Sequence, residues 1–442
     1  MSWETRRKAR LKRWLNPPGL TFESQEAKND YQARITRMAK AMTLSGIPDR
    51  VPLLPNYTFM PAYVLGSNAM AAMSDQDLGF ALWQRFSREF LLDSYNFYAL
   101  TCPIPLMEKI QYLLYQWPGH KGLSEDQTYR YVPRDWLASP KKYADIAIDP
   151  SAFWLKEFVP LVCEALQGMS HMELFTGLSW TEPARLCLAL ASYGREDVQE
   201  AIRNLMEAGS LALTWERRAE AFVTLLAGQG YPSFAGGFSK APFDLLTDQL
   251  RSRRNALLDI ARDPEPLLEA IEVLTPRVAE QAIRAIDRTG NPIVFMPLHT
   301  GDDVLMSPGQ FERFYWAPLK RVFELIIEAG GLPLAFAEGS YKSRCDYFLD
   351  LPRGGVTWII DRTDMAFLKH RVGHHCCLAG NVPGYMFLMD DPKKLGQYCR
   401  KLIEEVAPGG GFMMSSGTAL DKANRPMVRA MIETTLEHGV YG

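Results

Sequence analysis

The chain predicts an α/β fold made of parallel βα units, and three features carry that prediction. Short apolar runs end abruptly in polar residues. Ile293-Val-Phe-Met-Pro-Leu298 leads into His299-Thr-Gly-Asp302-Asp303, and Leu332-Pro-Leu-Ala-Phe-Ala337 leads into Glu338-Gly-Ser. Val356-Thr-Trp-Ile-Ile360 leads into Asp361-Arg-Thr-Asp364, and Cys376-Cys-Leu-Ala-Gly380 into Asn381-Val-Pro383. Helical stretches separate these runs. Buried strands that alternate with helices form parallel sheets. Such sheets collect their chemistry at the carboxyl ends of the strands. The pattern therefore gathers His299, Asp302, Asp303, Glu338, Asp361, Asp364 and Asn381 around one pocket.

The elements follow in order. Trp3 and Trp14 flank a basic stretch from Arg6 to Arg13, read as a solvated helical arm that packs on the body or on a second subunit. Pro17-Pro18-Gly19 ends it. Residues 23–45 read as a helix, so residues 1–45 form an N-terminal helical arm. Val51-Pro-Leu-Leu-Pro55 is the first strand of the body, which spans residues 46–442. Phe97-Tyr-Ala-Leu-Thr101 is the second. Residues 103–245 are irregular, with helices expected at 182–192, 198–208 and 216–226. Part of this stretch inserts above the pocket, and strands three and four are not assigned. Arg251, Arg253 and Arg254 read as a group that is solvated or at a partner surface. Helices are expected at 267–287, 308–329 (Ser307 as N-cap, Gly330 at the end), 391–406 and 425–437. A last strand lies near Gly411-Phe-Met-Met-Ser-Ser416.

Composition bounds the function. A chain of 442 residues suits one large α/β barrel with additions, or two domains. Apolar residues make up 47%, ample for a core. With 49 basic and 51 acidic residues the net charge is −2, which gives no case for nucleic-acid binding. No apolar run reaches the roughly 18 residues of a membrane span. Met1–Arg13 is charged and lacks the apolar core of a secretory signal. The seven cysteines are scattered, so a reducing cytoplasm is expected. Cys102, Cys163, Cys187, Cys345 and Cys399 read as buried, inert thiols.

Several segments carry a resemblance. Asp49-Arg-Val-Pro52, Met306-Ser-Pro308, Phe314-Tyr-Trp-Ala-Pro318-Leu-Lys320, Gly380-Asn-Val-Pro383 and Gly410-Gly-Phe-Met-Met-Ser-Ser416 resemble the uroporphyrinogen decarboxylase superfamily. The resemblance covers roughly residues 30–440 and is densest after Asp287. It implies a TIM (β/α)8-type barrel, here with the N-terminal helical extension and the insertion. The superfamily also contains methyltransferases that move methyl groups between small molecules and corrinoid proteins. Two departures choose between its branches. The decarboxylases carry Arg-Gln-Ala-Gly-Arg near the first strand, where this chain has Asn56-Tyr-Thr-Phe-Met-Pro61. A substrate with many carboxylates would lack its counter-charges there. The thiol methyltransferases hold zinc with His-x-Cys and a last-strand Cys. This chain has Ala337-Glu-Gly-Ser340 and Ser415-Ser-Gly-Thr418 at those places. The resemblance thus implies a divergent corrinoid-dependent branch that demethylates an ether, an amine or a similar donor.

Methyl transfer needs the methyl carbon held in line and the leaving atom stabilised. An alkoxide leaves poorly, so His299, Glu338 or Asp303 is expected to supply a proton. Burial would raise a Glu338 carboxyl for that purpose. Alternatively His299, Glu338 and Asp361 or Asp303, with Cys377 as a further ligand, would hold zinc. Tyr57, Asp302, Asp361, Asp364 and Asn381 are the expected substrate contacts. Asp302, Asp303 and Asp364 also read as helix caps, and Asn381 as a turn residue holding backbone. The corrinoid is expected on a partner protein, because no Asp-x-His-x-x-Gly segment supplies a lower cobalt ligand. A homodimer is expected as well. The alternative functions are a carboxy-lyase acting on a non-porphyrin substrate and a barrel that only binds.

Overall fold

A computed structural model describes residues 2–96, 103–132, 134–174 and 181–441. Two short strands, β1 (Tyr115–Gln116) and β2 (Arg130–Tyr131), form an antiparallel hairpin. Six more are parallel and hydrogen-bonded in sequence order. They are β3 (Gly237–Phe238), β4 (Ile293–Leu298), β5 (Leu332–Ala337), β6 (Thr357–Ile360), β7 (Cys377–Val382) and β8 (Phe412–Ser416).

Extended segments close the ring. Leu53 bridges Met414 in parallel, and Leu54 N donates to the Met414 carbonyl at 2.9 Å. Asp93 N donates to the Leu53 carbonyl at 3.0 Å, and Tyr95 bridges Ser233. Residues 51–54 and 93–96 thus take barrel positions one and two. Strands β3 to β8 take positions three to eight, which completes a (β/α)8-type barrel. The second strand expected at 97–101 lies outside the described residues. Position three falls within the stretch read as irregular. A strand of two residues that begins with Gly237 and follows Gly236 leaves little apolar pattern to detect.

Alternation sorts the side chains of each strand. Ile293, Leu334, Phe336, Ile359, Ala379 and Met413 pack inside the barrel with Ile35 and Met38. Val294, Met296, Leu298, Trp358 and Met414 pack outward against the surrounding helices. Continuing the inner row by two residues brings His299, Glu338, Asp361 and Asn381 to the carboxyl-end mouth. The inner row is closed at the opposite end by helix α2 (Gln25–Thr43), whose Ile35 and Met38 are fully buried.

Helix α1 (Trp3–Leu15) packs on its own chain. Arg6 donates to the Glu328 carbonyl at 2.7 Å, Arg10 to Ala329 at 2.7 Å, and Arg7 to Gly354 at 2.8 Å. The arm therefore serves two carbonyls that the end of helix Ala317–Glu328 leaves without partners, and a loop carbonyl before β6. Other differences from expectation are local. The helices read at 198–208 and 216–226 are one continuous helix, Glu196–Gly228. Arg251 is not solvated: it is buried and donates to Asp259 at 2.8 Å and to the Leu137 carbonyl at 3.0 Å. Cys187 is exposed, whereas Cys163, Cys345 and Cys399 are buried; Cys102 lies outside the described residues. No helix among the described residues is long and apolar enough to cross a membrane.

Candidate active site

His299 directly follows β4, and two acids of a neighbouring helix fix it. Helix Pro242–Gln249 follows β3 and carries Asp244 and Asp248 four residues apart, hence on one face. Asp248 Oδ2 lies 2.6 Å from His299 Nδ1 and 2.5 Å from Lys240 Nζ. Asp244 is fully buried, and its Oδ2 accepts from the His299 backbone N–H at 2.9 Å and from Tyr315 Oη at 2.6 Å. The other imidazole nitrogen, Nε2, faces Glu338 Oε1 at 3.6 Å. The outcome is a row: Lys240, Asp248, His299, Glu338.

The row sets the charge states. Burial works against the His299 imidazolium, but the Asp248 hydrogen bond and the charges of Asp248, Asp244 and Glu338 outweigh it and hold His299 above its ordinary value. Burial pushes the Glu338 carboxyl up, and Asp244, Asp248 and Asp361 add to the rise while His299 opposes it. Burial and Asp248 likewise raise Asp244. Asp248 goes the other way: burial would raise it, but His299 and Lys240 together hold it low. Two carboxylates are thus driven apart by their surroundings, an arrangement typical of acid–base sites.

The remaining expected residues divide between mouth and scaffold. Asp302 accepts from Ser340 N at 3.0 Å and Val304 N at 3.0 Å. Asp303 accepts from Ser340 Oγ at 2.8 Å and Ser343 Oγ at 2.7 Å. Together they clasp the loop after β5 rather than cap the helix that follows, which Ser307 caps with Gln310. With both oxygens engaged, Asp303 holds a loop in place of the proton-donating part expected of it. Asp361 accepts from Gly339 N at 2.8 Å, and burial raises it. Gly339 has φ +88°, and a Cβ there would meet Asp302 Oδ2 at 1.8 Å, so the clasp demands glycine. Asp364 caps helix Met365–Val372 by accepting from Phe367 N at 2.7 Å. Asn381 Nδ2 donates to the Asp361 and Thr363 carbonyls, each at 3.1 Å, and so holds backbone.

Two expected residues do not reach the mouth. Tyr57 is 2% exposed, lies edge-on to Phe86 at 5.4 Å between ring centroids and belongs to the outer layer. Cys377 begins β7, four residues before Asn381 and so roughly 13 Å away along the strand. Burial pushes its thiol up to about 12, far from a ligating thiolate. Among the described residues no three His, Cys, Asp or Glu side chains are grouped to hold a metal ion. The four-residue zinc set therefore does not assemble.

Residues 226–438 match the family model for uroporphyrinogen decarboxylase. No curated protein matches the chain. The fold is similar to that of a methyltransferase from Methanosarcina mazei, with TM-score 0.56 and 14% identity over 91% of this chain and 98% of that one.

Proposed function

Taking residues 226–438 as a domain of the uroporphyrinogen decarboxylase superfamily, we propose that this chain is a methyltransferase. In this reading it moves a methyl group from a small methylated donor to a corrinoid carried by a partner protein. The observation that carries the reading is the row Asp248–His299–Glu338 at the barrel mouth. The structural likeness to a methyltransferase agrees with it. Multiple substrate carboxylates, as a porphyrinogen decarboxylase requires, would meet Glu338 and Asp361 here, and Lys240 is already paired with Asp248.

When docked, the corrinoid supplies a reduced cobalt centre that accepts the methyl group. His299 is committed to Asp248 at one nitrogen and faces Glu338 at the other, so its place is beside the methyl donor. The chain does the rest. Asp248 fixes the imidazole so that Nε2 points into the mouth. His299 and Glu338 are both shifted toward their protonated forms, so the pair can carry a proton at the mouth. That proton goes to the oxygen or nitrogen that leaves as the bond to the methyl carbon breaks.

The test is transfer of a labelled methyl group from candidate donors to a free reduced corrinoid, watched by the change in corrinoid absorbance. Glu338→Gln should lower transfer at least about 100-fold while leaving donor binding intact. Full activity in both Glu338→Gln and His299→Ala would move the chemistry elsewhere. Release of carbon dioxide without methyl transfer would favour a carboxy-lyase instead.

A further inference from the structure

The hairpin β1–β2 belongs to a strap that crosses the barrel mouth and is tied on both sides. On one side Thr128 Oγ1 donates to Asp421 at 3.4 Å, and Lys422 Nζ to the Asp126 carbonyl at 2.5 Å. On the other, Leu137 N donates to the Leu250 carbonyl at 2.8 Å, and Ser252 Oγ to Asp135 at 2.7 Å. Between the ties stand three tyrosines. Tyr115 and Tyr131 are 5.2 Å apart between ring centroids, and Tyr115 and Tyr129 are 6.0 Å apart. Phe59 adds a fourth ring, 6.3 Å from Tyr129. These rings share the space of the carboxylates. Burial, and after it the charge of Asp248, raises the phenols of Tyr115 and Tyr131. Burial raises Tyr129, with Asp421 and Glu338 among the charges that add to it. The Tyr131 hydroxyl is buried without a hydrogen-bond partner.

We propose that this mouth takes a substrate whose methyl groups sit on a positively charged nitrogen, a quaternary or protonated tertiary ammonium. The proposal rests on the methyl-transfer reading and narrows its donor. Ring faces are the negative ends of aromatic quadrupoles, and clusters of them bind methylated cations that offer no N–H fork to a carboxylate. Asp421, which accepts from the Thr58 and Thr128 hydroxyls, puts negative charge beside the Tyr129 ring. Lys240 and His299, which would repel such a ligand, already have carboxylate partners, and Lys422 at the edge donates to a carbonyl. An anionic donor would find the reverse of what it needs.

The chemistry agrees. The C–N bond breaks with its electron pair going to nitrogen, which departs as a neutral amine. The methyl carbon takes a new pair from the acceptor, a reduced corrinoid whose metal formally gives up two electrons. A cationic nitrogen leaves without prior protonation. The proton held by His299 and Glu338 then quenches the freed amine and prevents its return.

Calorimetry on the full-length protein tests the ligand class without any corrinoid. The probes are choline and 3,3-dimethylbutan-1-ol, which has the same shape with carbon in place of the charged nitrogen. Choline should bind at least about tenfold more tightly. Tyr131→Leu and Tyr115→Leu keep apolar bulk but lose the ring, and each should shrink that ratio to under about threefold with the thermal midpoint kept. Equal affinities, or no binding of either probe, would overturn the proposal. A preference that survives both leucine variants would overturn the part given to the rings. The two readings fail separately. Tight choline binding with no methyl transfer from any ammonium donor supports the ligand class and sinks the methyltransferase. Transfer from a neutral methyl ether with no preference for choline does the reverse.

Discussion

Replacing Asp248 by asparagine removes the carboxylate at His299 Nδ1 but keeps its shape. In the native site that hydrogen bond, with the nearby charges, outweighs burial and holds His299 above its ordinary value near 6.5. Activity that depends on the imidazolium should therefore persist above that pH and fall on the alkaline side. In Asp248→Asn the alkaline limb of kcat/KM should move to lower pH, and the rate at neutral pH should drop about 10- to 100-fold. A pH–rate profile decides; an unmoved limb would assign it to another group. The same shift is a stability linkage. A raised histidine stabilises the fold fully below its unfolded value and loses that contribution as pH rises through its folded value. The thermal midpoint should fall across that window in the native chain and be flatter in the variant. His299 and Glu338 were legible from sequence because each ends a long apolar strand. Asp244 and Asp248 were not, because the strand before them is two residues long. The usable signal was their four-residue spacing just after Ala241-Pro242, which puts two acids on one helical face.

Among the elements, the weakest joint is where the barrel closes. Strands β4 to β8 are held by continuous ladders, whereas positions one and two touch their neighbours through isolated bridges. A buried carboxylate compensates. Asp93 accepts from Leu53 N at 2.7 Å, from both Arg50 terminal nitrogens at 2.9 Å and from Arg37 at 2.5 Å. Asp93→Ala would leave Arg50 without its carboxylate, Arg37 with Asp49 alone and Leu53 N without its acceptor, and should cost about 3–5 kcal/mol, read from denaturant unfolding. Amide exchange in residues 51–54 should accelerate before exchange in β5 or β7. The clasp after β5 is a second element-level test. Gly339→Ala puts a methyl group onto Asp302 and strains a left-handed backbone. Methyl transfer should fall about tenfold or more as Glu338 is displaced, while the melting temperature changes by only a few degrees. Helix ends were readable here: the Ser307 cap, the Asp391 cap and the Asp364 cap were all visible as Asx or Ser residues at the start of periodic runs. Loop clasps were not, since partners such as Asp303 and Ser343 are linked by geometry rather than by spacing.

At the scale of the molecule, the barrel was legible because five consecutive strands, β4 to β8, have the apolar length and spacing that announce βα units. The strap was not, because β1 and β2 are two residues each and owe their position to ties at Asp421 and Leu250. The arm was legible as a basic helix, yet its destination was not: nothing in a run of arginines says that they will meet carbonyls. Docked arginines make the arm part of the fold. Deleting residues 2–16 should expose the Trp14 site, lower the thermal midpoint by several degrees or more and leave the mass in solution unchanged if each copy keeps its own arm. A change from dimer to monomer on deletion would instead show that the arm also bridges subunits.

The placement of that arm also sets an order on biosynthesis. Arg6, Arg7 and Arg10 find their carbonyls at Glu328, Gly354 and Ala329, more than 300 residues further along the chain. At roughly 5–20 residues per second, a ribosome needs some tens of seconds to make that distance. For that interval the nascent chain carries a cationic helix that can meet α2 but whose three arginines lack the carbonyls that receive them. Such a segment invites holding by a chaperone or by any acidic surface near the exit tunnel. The barrel cannot lock its floor until well after its first strand has been made.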